Sequence, residues 1–381
     1  MLIRRFAPVA TLLALALPAQ AQEARPMAVI SVPEVRTPVR HLVTFQPGVP
    51  TCEDGDFGTA NIEQPFETST LAPSGAQAMP IELRFGIAAN GRPVDIRVVE
   101  PEAPRAGHVV VPADDVVPSF AAWQFISAQP RTSCRIRFEP VLVPYDAAPP
   151  GLIARYLVLP HRALPEDRRL FQRLHGEEAT CLAVGAEPRT RAYPPFSELN
   201  ESPGGWSYAT IRFSIDDSGH PYDVTVIASD ASPEMQAASR DAVARSRFAP
   251  RAATGCTYPY YLVGEVLQAP PRPELAAFEA PEARCEGGTE WAHLGQLTFP
   301  RGFQRRKIEG WALMRFDVTP EGVPTNIEVV RSEPAAAFGE QAVRVVRQAR
   351  QAPQEEPKRG CLDFVRFVMP DSHAQASAEA D

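Results

Sequence analysis

The chain has 381 residues, 44% of them apolar and 22% charged, a balance that supports packed cores and excludes a disordered polyelectrolyte. Its length accommodates two to four domains of roughly 100 to 200 residues. The formal net charge is -8, and an acidic surface without densely clustered Lys and Arg excludes nucleic acid and anionic lipid as partners, since both need basic side chains to displace counterions.

The N-terminus reads MLIRRFAPVATLLALALPAQAQ. Arg4 and Arg5 form a basic n-region, an apolar run follows, and Ala19-Gln20-Ala21 offers the small residues a signal peptidase requires. The pattern predicts a signal peptide over residues 1–21 and a periplasmic mature chain. An uncleaved anchor is the weaker alternative, because the apolar run falls short of the roughly 20 residues that span a bilayer. No later segment is long and apolar enough to insert, so no stable membrane insertion is expected after cleavage. Cleavage removes two arginines and no acid, taking the charge from -8 to -10 (-8 - 2).

Further along, one pattern occurs three times: RFGIAANGRPVDIRVV from Arg84, RFSIDDSGHPYDVTVI from Arg212 and RFDVTPEGVPTNIEVV from Arg315. Alternating residues, a Gly-x-Pro turn and renewed alternation predict a β-hairpin in each copy. Gly91, Gly219 and Gly322 supply the positive φ of a tight loop. Pro93, Pro221 and Pro324 begin the second strand, where a missing N–H does least harm. Helical spacing follows in copies two (Met235, Ala238, Ala242, Val243, Phe248) and three (Phe338, Ala342, Val345, Val346). In copy one an insertion over 107–117 precedes a short predicted helix over 119–126.

Each copy closes on a cysteine that opens a strand, at Cys134, Cys256 and Cys361, and carries another 30 to 32 residues before its Arg-Phe, at Cys52, Cys181 and Cys285. Six cysteines allow fifteen pairings. The repeat selects Cys52 with Cys134, Cys181 with Cys256 and Cys285 with Cys361, and export favours such disulfides. In the chain-entropy model each is worth at most about 4 kcal/mol. Zinc and a catalytic thiol are the weaker readings, because close C-x-x-C pairs are missing. Pro-rich connectors at 146–151 and 268–284 read as semi-rigid spacers, and the tail 371–381 as disordered.

Copy three, from Phe299-Pro300 to Ser332-Glu333-Pro334, resembles the C-terminal domain of TonB energy transducers: aromatic-Pro, a short basic helix, Gly, an Arg-Phe strand, a Gly turn, and a strand ending near Ser-x-Pro. Copy two is similar, starting at Tyr193-Pro194 and closing its helix on Arg247-Phe248-Ala249-Pro250; copy one matches over the hairpin and last strand. The resemblance implies three antiparallel strands with two helices on one face. It also implies a peptide-docking edge on the closing strand, where a receptor's short N-terminal box adds as a further strand. That edge falls on 361–369, 256–266 and, more weakly, 134–143, with Tyr258, Tyr260, Leu262, Leu362, Phe364 and Arg366 as candidate contacts. Departures from the family pattern are the cleavable leader, the missing long Pro-rich spacer and the triplication.

Evidence for chemistry is thin. His161, His175, His220 and His293 lie in connector or turn contexts, and no H-x-x-x-H pair or Gly-x-Ser-x-Gly elbow occurs. Asp216-Asp217 reads as a turn former rather than a carboxylate pair. Ser202-Pro203-Gly204-Gly205 lacks phosphate-loop spacing. Arg301, Arg305, Arg306 and Lys307 read as a solvated helical face, with binding of carboxylates as the sharper alternative.

The sequence therefore predicts an α+β protein of three tandem modules (22–150, 151–270, 271–370). Each is expected to be a three-stranded antiparallel sheet with one or two helices on one face and one disulfide. No catalytic residue, cofactor or metal is expected. The expected role is an adaptor that binds a protein or peptide, such as a TonB-dependent receptor, by strand addition. A self-assembling scaffold or homodimer is the first alternative, and an enzyme of unrecognised type the second.

Overall fold

The computed structural model describes residues 40–370 apart from 54, 56, 66–68, 72–76, 101–106, 112–113, 128, 159–166 and 286–288. The leader 1–21, the tail 371–381 and His161 lie outside the described residues.

The first module runs through β1 (His41–Pro47), β2 (Thr51–Cys52), β3 (Gly58–Asn61), β4 (Ser69–Leu71), β5 (Gln77–Ala78), the hairpin β6 (Ile81–Ile87) and β7 (Pro93–Val98), β8 (His108–Val109), α1 (Val116–Ala121), β9 (Gln124–Ile126) and β10 (Arg131–Pro144). Its main sheet has the order β4-β1-β10-β6-β7, with β2 also paired to β10; short pairs β3-β9 and β5-β8 flank it. The three-stranded expectation is corrected here. The chain before the hairpin folds back along β10, so six strands form and the closing strand lies in the middle. The helix expected over 119–126 is also corrected: α1 ends at Ala121, and Gln124–Ile126 is a strand paired antiparallel with β3, with the Phe125 N–H also donating to Gly91 O in the hairpin turn.

The second module comprises α2 (Pro150–Val158), α3 (Arg168–His175), α4 (Cys181–Val184), β11 (Pro188–Thr190), the hairpin β12 (Trp206–Ile215) and β13 (Pro221–Ser229), α5 (Pro233–Arg245), β14 (Arg247–Phe248) and β15 (Ala253–Val263). The third comprises α6 (Arg301–Arg305), the hairpin β16 (Gly310–Val318) and β17 (Pro324–Glu333), α7 (Ala336–Gln348) and β18 (Lys358–Phe367). Their sheets are three-stranded, β13-β12-β15 and β17-β16-β18, and β11 pairs with β14. Helix α5 starts at a capped end: Ser232 Oγ accepts from the Met235 N–H at 3.2 Å, and Pro233 occupies the first turn, where its missing N–H costs nothing.

Helices on a single face hold only in part. In module two, α5 covers the face carrying Ala209, Ile211 and Phe213, while α2 and α3 cover the other, carrying Trp206 and Tyr208. In module three, α7 covers Ala312, Met314 and Phe316. The opposite face carries Trp311 and Leu313, both buried, beneath the Pro-rich connector: Trp311 Nε1 donates to Pro270 O at 2.7 Å and Arg315 to Phe278 O at 3.0 Å. The stretch expected to act as a spacer is therefore a cover, anchored through the backbone carbonyls of Pro270 and Phe278.

The hairpin turn is built identically three times. Gly91, Gly219 and Gly322 have φ of 78°, 85° and 80°, and their carbonyls accept from the N–H of Phe125, Phe248 and Gln351, just past each helix. A Cβ on any of them would stand 2.1 to 2.2 Å from a carbonyl oxygen of that segment, so both torsion and space require glycine. Two residues beyond each turn proline, Asp95, Asp223 and Asn326 adopt φ of 49°, 52° and 49° at the register shift of the hairpin; these are the residue types that tolerate left-handed backbone.

The modules share cores. One cluster runs continuously from Phe85, Phe120 and Phe138 of module one into Phe303, Phe316, Phe338 and Phe367 of module three. Another joins Leu42, Tyr145 and Ala148 to Ile153, Tyr156, Leu170, Trp206 and Tyr208 of module two. At the junction of all three lies Arg306, fully buried. It makes a two-point ion pair with Asp115 (2.6 and 2.7 Å) and donates to Gly204 O (3.1 Å) and Gln64 O (2.9 Å). The reading of Arg306 as part of a solvated face is corrected: its guanidinium fork bonds groups from modules one and two at once. Replacing Asp115 with Ala strands that charge in a dry site. Urea unfolding of the full chain should show a loss of about 3–5 kcal/mol, whereas Arg301→Ala at an exposed position should leave the transition unmoved.

Candidate peptide-docking edges

Each closing strand is tied to the body of its module by a disulfide: Cys52–Cys134 on β10, Cys181–Cys256 on β15 and Cys285–Cys361 on β18. Each lies beside the first hairpin strand, in register Phe85↔Cys134, Phe213↔Cys256 and Phe316↔Cys361. Beyond the cysteine, alternate residues turn their backbone groups toward that hairpin strand or away from it. Arg137, Pro259 and Phe364, each three residues past the cysteine, face away. The Gly48 N–H donates to Arg137 O from outside at 2.7 Å, Pro259 has no N–H to give, and the Phe364 N–H is bound by the Oδ1 of Asp363 at 2.7 Å.

Among the described residues, β15 and β18 each have a strand partner on one side only. At the start of β18 the outer row is briefly occupied, because Arg359 and Arg284 exchange two backbone hydrogen bonds of 2.8 and 2.9 Å. The docking edge implied for 134–143 is corrected, since β1 already lies there antiparallel, from His41↔Pro144 to Pro47↔Phe138.

Among the candidate contacts, Tyr258, Tyr260 and Leu262 point to the α5 side, and Tyr260 and Leu262 are buried core. Tyr260 donates to Ala192 O at 3.1 Å, and burial pushes its hydroxyl up to about 12. Tyr258 lies under Arg191, whose guanidinium is 4.5 Å from the ring and bonds its hydroxyl at 2.8 Å. On β18, Leu362, Phe364 and Arg366 face the connector side. Phe364 meets Trp311 edge-on at 5.4 Å and carries Arg272 over its ring at 5.3 Å; Arg366 is exposed.

Other polar groups, among the described residues, lie scattered on turns and surfaces. Ser218, His220 and Asp216 lie within 2.7 to 3.8 Å of one another, but on the exposed hairpin turn, where Asp216 Oδ1 accepts from the Ser218 and His220 N–H groups. A cleft of about 340 Å³ between the module-one turn and residues 266–271 has Arg92 as the titratable side chain in its lining, and Arg92 is held by Ala122 O at 2.9 Å. Among the described residues no group of three or more His, Cys, Asp or Glu is placed to hold a metal, and no helix is long and apolar enough to cross a membrane.

The family model for the Gram-negative bacterial TonB protein C-terminal matches the chain twice, over residues 193–261 and 295–360. The chain carries tandem TonB C-terminal-like repeats. No curated protein matches it. The two matched TonB-like copies are the ones whose closing strands lie at a sheet edge, and module one shares their turn, bulge and disulfide placement.

Two features of the edges escape the repeat pattern. Pro259 is visible in CTYPYYLV as a proline inside a strand, which places that strand at an edge with its N–H side outward. His175 gives no sequence signal. Its ring bridges Gly255 O (2.7 Å) and Thr257 Oγ (3.0 Å), holding the end of α3 against the start of β15. Burial lowers its pKa, with the nearby Arg212 acting the same way against the Gly255 bond. The neutral ring is therefore the form the fold holds. The stability it contributes is present above the unfolded value near 6.5 and is lost as pH falls through the lower folded value. The amide protection factor at the start of β15, taken against the intrinsic rate at each pH, should fall as pH drops below about 6.5, and His175→Gln should flatten that dependence.

Proposed function

We propose that this is an exported, periplasmic, non-enzymatic TonB-like adaptor that recognises extended peptide segments by β-strand addition at its closing strands, in the service of envelope transport. The observation that carries the reading is internal to the molecule. The same edge is filled by an antiparallel strand in module one and, among the described residues, has no strand partner in modules two and three. An unpaired row of N–H and C=O groups is a template for a further strand, and the disulfide holds that row rigid, which lowers the ordering cost of docking. Receptor N-terminal boxes are the extended segments this chemistry fits.

Hydrogen exchange on the mature chain gives the test. Synthetic peptides of receptor N-terminal boxes should slow exchange in β15 or β18 while leaving the hairpin strands unchanged. Protection confined to helices or loops would exclude strand addition. Concentration-dependent dimerisation that protects the same strands without peptide would make the edge a self-assembly surface instead.

A further inference from the structure

The three equivalent edges are not equally able to accept a strand. We infer that the outer edge of β18, over Leu362 to Arg366, is the single docking edge, and that it takes an extended peptide antiparallel to β18 with acidic side chains in its N-terminal half. This rests on the strand-addition reading and narrows it to one site, one orientation and one ligand chemistry.

The edge of β10 is already filled by β1 and β2, which cover it from Pro144 back to Cys134. The edge of β15 carries Pro259 at the outward-facing position equivalent to Phe364. An added strand would find no N–H there and would meet the pyrrolidine ring instead, a device that blunts sheet edges. β18 has Phe364 at that position, and its N–H is held only by the neighbouring Asp363 carboxylate, a local bond that a strand carbonyl can replace. Toward Lys358 the pairing of Arg359 with Arg284 closes the edge, which leaves the stretch from Leu362 onward.

Orientation follows from module one, where the added strand β1 runs antiparallel to β10 and its N-terminal residue lies opposite the end of that strand. Its occupant shows what fits: Leu42, Val43 and Phe45 are buried on the two faces. The charge frame differs between copies. β15 has no charged residue, whereas β18 reads KRGCLDFVRF. The Asp363 carboxylate is engaged by Trp291 Nε1 at 2.8 Å, and Arg366 and Arg272, both exposed, flank the open end. At the opposite end, closed by the Arg359–Arg284 pairing, the cations Arg284, Lys358 and Arg359 lie beside the carboxylates of Glu282 and Glu356, which partly neutralise them. An antiparallel peptide thus brings its N-terminal half to the two arginines, where carboxylates gain charge-assisted hydrogen bonds.

The test selects a random heptapeptide library against the immobilised mature chain and footprints the enriched peptides by hydrogen exchange. The expected peptides alternate apolar residues, carry Asp or Glu in their N-terminal half, bind one per chain, and slow exchange at 362–366 but not in β15. Arg272→Glu with Arg366→Glu, both at exposed positions, should weaken binding about tenfold or more, and Phe364→Pro should abolish it. Pro259→Val should leave binding to β18 intact. Protection in β15, or binding indifferent to the charge reversal, overturns the single-edge inference while leaving strand addition standing. Failure to enrich any peptide that protects a strand edge overturns both. Protection of 362–366 by a second copy of the chain, without peptide, assigns the edge to self-association and overturns the inference.

Discussion

A buried guanidinium holds the modules of this protein in one body. Arg306 has left water entirely, and such a charge is tolerable only when it is paired and hydrogen-bonded. Here the partners come from separate parts of the chain: the Asp115 carboxylate and Gln64 carbonyl from module one, and the Gly204 carbonyl from module two. The pair adds geometric definition rather than net driving force, which comes from the apolar core that modules one and three share. A second polar tie works similarly, with Asp95 N–H donating to the buried Glu333 and Ile96 N–H to Pro334 O.

With the modules locked together, their differences become legible as treatments of one recurring problem. A three-stranded antiparallel sheet exposes an unpaired row on each outer strand. Module one covers the row on its closing strand with β1, module two interrupts it with Pro259, and module three leaves it framed by arginines. The other face of the module-three sheet is sealed by the Pro-rich connector, so Trp311 and Leu313 are withdrawn from solvent.

Much of the fold was readable because it follows from short-range rules repeated three times. Alternation, the Gly-x-Pro turn and helical spacing located the hairpins and the α5 and α7 helices. The order of cysteines within the repeat selected one set of pairings among fifteen, and those are the bonds present. Copy one was read less well, because β9 is a strand through its antiparallel pairing with the distant β3, a contact that no local propensity encodes. The candidate contacts Tyr258, Tyr260 and Leu262 lie on the closing strand but on the side that α5 covers, and Tyr260 and Leu262 are core.

By itself, the sequence determined the unit: a hairpin, a helix and a closing strand stapled by a disulfide, since period, turn chemistry and cysteine order are local properties of the chain. Tertiary structure decided what becomes of each copy. Whether Arg306 points to water or into a triple junction, and whether a closing strand is central or at an edge, depends on groups hundreds of residues apart meeting in space. The physical reason is that burial and strand pairing are properties of neighbours, and neighbours are assigned only when the whole chain has packed.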